Sequence, residues 1–155
     1  MDAFIARIDL LNENAMLQSV DKTEYMAYFL NRGVPLSIMT RLEKLWSYTK
    51  PFMHKTICIG KIIVTKIAQF VASHEHTFIG IAIGIAIKVL LSSVPWLNAI
   101  LSPFIKILTP ILAAKGATLD YGTDSMIDAL IKLARDFWHT TIEIFNLLRN
   151  EFVEG

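Results

Sequence analysis

Apolar residues recur at helical spacing from the first turn of this chain onward. Phe4, Ile8, Leu11 and Ala15 share one face of a first helix, and Asp2 stands where its carboxylate can cap that helix. Asp21-Lys22-Thr23-Glu24 has capping-box spacing and predicts the start of a second helix carrying Tyr25, Phe29 and Leu30. Asn31-Arg32-Gly33 ends it, because glycine tolerates the left-handed conformation past a helix C-terminus. Pro35 opens a third helix with Met39, Leu42, Leu45 and Trp46 along one side, and Pro51 closes it.

Between Ile57 and Ser73 the pattern is basic on one side and aliphatic on the other. Ile59, Ile63, Val64, Ile67, Phe70 and Val71 oppose Lys61, Thr65, Lys66 and Gln69. An interfacial helix presents such a pair of faces to anionic lipid headgroups, with Lys61 and Lys66 at the membrane interface. A surface helix packed on neighbouring helices carries the same pattern.

From Thr77 to Ala114 the chain is almost wholly apolar, and no acidic residue occurs between Glu75 and Asp120. The block breaks at Ser92-Ser93-Val94-Pro95 into two limbs, 77–94 and 96–114, each near the roughly 20 apolar residues that one membrane span needs. A membrane helical hairpin over about 77–114 is the expectation. One narrow row on each limb is small or polar: Gly80, Gly84, Lys88 and Ser92 on the first, and Asn98, Ser102, Lys106 and Pro110 on the second. Gly80 and Gly84 permit close helix approach, so the row reads as a pore-lining or helix-association seam. Lys88 and Lys106 have no carboxylate in their own block. Four destinations stay open for them: snorkelling to headgroups, an aqueous lumen, a carboxylate of another helix, or a hairpin that does not span. Pro95, Pro103 and Pro110 equally suit a broken or re-entrant segment.

After the block, Ser125-Met126-Ile127-Asp128 resembles a capping box and introduces a long amphipathic helix. Met126, Leu130, Leu133 and Phe137 form its apolar face, with Trp138 beside it. The expected fold is all-α, in four regions: an N-terminal helical region 1–55, a basic amphipathic interfacial helix 56–75, the hydrophobic hairpin 76–115 and a C-terminal amphipathic helix 116–155.

Composition strengthens the membrane reading. Hydrophobic residues make up 54% of the 155 positions and charged residues only 19%, which departs from ordinary soluble domains. The net charge of +1 leaves no electrostatic footprint for nucleic acid. Arg41, Lys44, Lys50, Lys55, Lys61 and Lys66 precede the block with only Glu43 among them, which favours cytoplasmic placement of both termini under the positive-inside rule. One cysteine, Cys58, excludes an internal disulfide. His74-Glu75-His76 lacks metal-ligand spacing, His54 and His139 stand alone, and no phosphate loop or catalytic set is visible. Neither an enzyme, a metal nor a cofactor is expected.

A hydrophobic hairpin flanked by amphipathic helices is similar in outline to pore-forming bacteriocin domains and to apoptotic-regulator-like pore proteins. That likeness is one of outline and carries no residue across. It agrees with a small protein of the cytoplasmic membrane that self-associates into a helical pore or channel, with the lipid bilayer and further copies of itself as partners. The competing expectation is a non-conducting membrane adaptor that recruits a protein partner through its amphipathic helices. A third is a bundle that shelters its hairpin until triggered.

Overall fold

The computed structural model describes residues 1–104, 106 and 123–154, and the chain is mostly helical. Helix α1 runs Ala3–Leu17, and its cap is as expected: the Asp2 carboxylate accepts from the Ile5 amide at 2.9 Å. Helix α2 is Lys22–Asn31, where Asp21 accepts from the Thr23 amide and hydroxyl. Gly33 lies beyond its end with φ +85°, the left-handed conformation expected of it. Helix α3, Leu36–Trp46, follows Pro35 and buries Ile38, Met39, Leu42, Leu45 and Trp46.

A short antiparallel hairpin, absent from the all-helical reading, follows α3. Strand β1 (Lys50–Phe52) pairs with β2 (Lys55–Ile57) in the register Lys50↔Ile57, Pro51↔Thr56, Phe52↔Lys55. Both turn residues, Met53 and His54, have positive φ, the twist that a two-residue hairpin requires. No Asn or Gly announces the turn, which is why the pattern of the sequence misses it.

Helix α4 (Ile59–Ala72) and helix α5 (Ile79–Ser93) form the centre. Ten of the residues of α4, from Ile59 to Val71, are buried, including Thr65. It packs on α1, α2, α3 and α5. The interfacial assignment of 56–75 is therefore corrected: α4 is a core helix. In α5 every residue from Ile79 to Leu90 is buried except Lys88, between α4 and the long helix α7 (Thr123–Leu147). A helix apolar on all sides must leave water, and a protein interior satisfies that demand as well as lipid does.

The membrane assignment is corrected by the same observation. No described helix is long and apolar enough to cross a membrane, and α5 has 15 residues against the roughly 20 of a span. The transmembrane hairpin, the pore and channel, and the cytoplasmic-membrane location drop out with it. The break at Ser93–Pro95 is real. There α5 ends, a 3₁₀ turn spans Pro95–Leu97, and helix α6 occupies 98–104. The remainder of the second limb, 107–114 with Pro110, lies outside the described residues.

Helix α8, Arg149–Glu154, closes the fold. Phe152 brings three elements together, with ring centroids 4.9 Å from Phe52 of β1, 4.9 Å from Trp96 and 6.3 Å from Phe145 of α7. Trp96 Nε1 donates to the Phe145 carbonyl and Asn146 Nδ2 to that of Ser93, so the end of α7 clasps the α5–α6 turn.

Candidate interaction surface

Two cations expected at lipid headgroups are instead occupied by α1. Lys61 Nζ donates to the carbonyls of Leu17, Gln18 and Val20 at 3.1–3.2 Å, satisfying the open end of α1. It also lies 5.6 Å from the Trp46 ring centroid. Lys66 pairs with Glu13 at 3.2 Å. Between them, buried Asn14 accepts from the Cys58 amide at 2.8 Å and donates to the Thr56 carbonyl at 3.2 Å. The Cys58 thiol points at the same Asn14 oxygen, and burial pushes its pKa above the ordinary value. Farther along, Arg7 binds Glu151 of α8 at 2.7 Å and holds that carboxyl below its ordinary range. These contacts set the rotation of α1 about its axis.

That rotation is the opposite of the expected one. The side of α1 turned inward is Ala6, Leu10 and Asn14, flanked by half-buried Ala3 and Leu17. Several large residues face outward: Phe4 is 67% exposed, Met16 77%, and Met1, Ile5 and Ile8 between 42% and 47%. Ala15 is also exposed and Leu11 is half-buried. Met1, Phe4, Ile8, Leu11 and Ala15 succeed one another by steps of three and four, the a/d spacing of a helix-pairing stripe. At about 100° per residue they occupy an arc of about 80°; no charged side chain lies within it, and the Met1 ammonium at its edge pairs with Glu143 of α7 at 3.1 Å. Arg7 is the charged residue nearest one edge of the arc and is tied to Glu151, whereas half-buried Asp9 is the nearest beyond the other edge. Sequence periodicity identified Phe4, Ile8, Leu11 and Ala15 as one face but assigned it to the core. The missed signal was the competing apolar row Ala3, Ala6, Leu10 and Leu17 on the opposite side.

Beside this stripe lies an open cleft of about 400 Å³ between α1 and β2, lined by Leu11, Asn14, Ala15, Gln18, Lys55 and Thr56. Helix α7 contributes less. Met126 and Leu133 are exposed, but Leu130 is buried and Trp138 is wholly enclosed.

The proposed seam along the hairpin divides. Gly80 and Gly84 are buried within the fold, whereas Lys88, Ser92, Asn98 and Lys106 are exposed and Ser102 is half-buried. The buried partners that a membrane would demand of Lys88 are not needed, since its ammonium is in water. Of the histidines, His74 Nδ1 lies 2.7 Å from the Phe70 carbonyl, His54 sits in the hairpin turn, and His139 faces Glu143 at 3.7 Å. Among the described residues no group of three or more His, Cys, Asp or Glu could hold a metal ion. Comparison with protein-family models, with curated proteins and with solved structures finds no match.

Proposed function

We propose that this chain is a helical protein-docking module rather than an enzyme, and that it recruits the helix of another protein chain along the outer stripe of α1. One observation carries the reading: α1 turns Ala6, Leu10 and Asn14 inward and leaves Phe4, Ile5, Ile8 and Met16 exposed to water. A helix serving only to cover the core gains most by the reverse rotation, because fully burying a Phe or Ile side chain is worth about 1.5–3 kcal/mol. The anchoring contacts of Lys61, Lys66, Asn14 and Arg7 hold α1 in the rotation that forgoes this gain. An uncharged stripe selects a partner helix that is likewise apolar at a/d spacing, in the helix-in-groove mode of recognition. The hairpin strand β2 and its cleft form one wall of that groove.

The test uses a fluorescent synthetic peptide, helical, with an uncharged leucine heptad stripe of two heptads, and a scrambled control. Saturable binding of the heptad peptide, lost in a Phe4→Glu/Ile8→Glu double variant and retained in Lys88→Glu, is the expected result. Both substituted positions are exposed, so circular dichroism and thermal unfolding of the double variant should match the parent. Absence of binding, or binding that the double variant retains, overturns the reading. So does adsorption to phospholipid vesicles that the double variant loses without any peptide binding.

A further inference from the structure

A groove of about 220 Å³ lies between α2 and α4, lined by Glu24, Tyr25 and Tyr28 on one side and by Ala68, Gln69 and Ala72 on the other. We infer that it binds a small organic ammonium ion, whose alkylated head sits against the two tyrosine rings and the Glu24 carboxylate. The inference is independent of the docking reading of α1.

Both walls come from one spacing. Positions 24, 25 and 28 on α2, and 68, 69 and 72 on α4, each follow i, i+1, i+4, an arc of about 100° on a helix. Tyr28 stands between Glu24 and Tyr25 on its arc, and Ala72 between Ala68 and Gln69. Two rings therefore oppose two methyl groups. Alanines that served close packing of the helices would leave no space between them, yet here the space stays open.

The two rings are held in place by their own neighbours. Tyr25 packs on Trp46 with ring centroids 5.5 Å apart. The Tyr28 hydroxyl accepts from Arg32 at 3.0 Å, and its ring meets Phe29 edge-on at 5.6 Å. Both tyrosines are half-buried, so each keeps part of its surface open. Side chains fixed in this way lose little freedom when a ligand arrives.

Charge selects the ligand. Aromatic ring faces attract cations, and the Arg32 guanidinium already lies 5.9 Å from the Tyr28 centroid. Glu24 is exposed, and among the described residues it makes no ion pair and no hydrogen bond. The chain's own cations on these rows are engaged elsewhere. Lys61, two turns before Ala68, donates to the carbonyls of Leu17, Gln18 and Val20. Arg32, one turn past Tyr28, donates to that hydroxyl and to the Glu75 carbonyl. An anion would meet an unpaired carboxylate, and a neutral apolar ligand would strip water from it without replacing the lost contact. An alkylated ammonium offers methyl groups to the rings and alanines and positive charge to Glu24. The groove is smaller than the roughly 300–1,000 Å³ of drug-sized sites, so it takes one small free molecule.

Choline is the probe, titrated into the full chain at constant ionic strength while amide chemical shifts are followed by nuclear magnetic resonance. Saturable shifts centred on Ala68, Gln69 and Ala72 are expected in the millimolar range. The uncharged isostere, with tert-butyl in place of trimethylammonium, should bind about tenfold more weakly, because it loses both the ring and the carboxylate attraction. Glu24→Gln should weaken choline about threefold, as an exposed ion pair allows. Tyr28→Leu should weaken it about threefold to fivefold. Ala72→Leu fills the groove from an exposed position, keeps both rings and the carboxylate, and should abolish binding with the circular dichroism unchanged. Absence of saturable binding, equal affinity for the uncharged isostere, or unchanged affinity in any of the three variants overturns the proposal. So does uptake of the chain by phosphatidylcholine vesicles when free choline leaves its spectrum unshifted.

Discussion

At the scale of single residues, the positions that decide this fold are polar groups asked to satisfy backbone. Lys61 ends α1 by donating to three carbonyls, and Asn14 serves the hairpin strand and the start of α4 at once. Neither role is readable from a pattern of apolar spacing. Arg7 and Glu151 show how such a contact responds to pH. The hydrogen bond from the guanidinium depresses the carboxyl pKa in the folded state. A carboxyl depressed by folding contributes stability above its unfolded value, near pH 4.3, and loses it as pH falls through the folded value. The difference in thermal midpoint between the parent and Arg7→Met should therefore be largest near neutrality and shrink as the solution is acidified below about pH 4.3. A difference independent of pH would show that Arg7 acts through packing alone.

Helices and strands inherit their limits from local chemistry and their rotations from neighbours. Asp2, Asp21 and Pro35 begin helices where capping rules place them, and Pro95 stands just past the end of α5. Packing between elements adds demands that spacing does not reveal. A Cβ at Gly60 would lie 1.5 Å from the Leu45 carbonyl oxygen, because α4 begins directly against the end of α3, where the Gly60 amide donates to Tyr48. Gly60→Ala should therefore cost at least the roughly 1–3 kcal/mol of an overpacked core and lower the unfolding midpoint in denaturant at unchanged slope. Full stability in that variant would mean that α3 and α4 separate freely. Within α5 the two halves of the supposed seam have different surroundings: Gly84 is enclosed by protein and Lys88 faces water.

For the whole molecule, cooperativity is expected where distant segments converge on Phe152, which is 1% exposed. Its ring joins the hairpin strand β1, the turn after α5 and the end of α7. Phe152→Ala should cost about 3–5 kcal/mol, the range for a buried aromatic truncation. Far-ultraviolet dichroism and tryptophan fluorescence should report the lowered transition together, since Trp96 stacks on the same ring. Loss of the fluorescence transition at a lower temperature, with helicity intact, would show that this corner opens by itself.

Fold class and most helix boundaries were determined by the sequence, because capping side chains, prolines and apolar periodicity act over a few residues. It also determined that 79–90 must leave water, since all but Lys88 of those residues are apolar or glycine. It did not determine which medium receives them. Burial against lipid and burial against α4 and α7 remove the same apolar area, so periodicity and composition are blind to the difference. Only the tertiary structure assigned protein to that role, and it gave Lys61 and Lys66 to α1 instead of to headgroups. The rotation of α1 was decided in the same way. Two rows on that helix are apolar, and contacts from residues more than forty positions away chose the row of Ala6 and Leu10 for the core and left Phe4 and Ile8 outside.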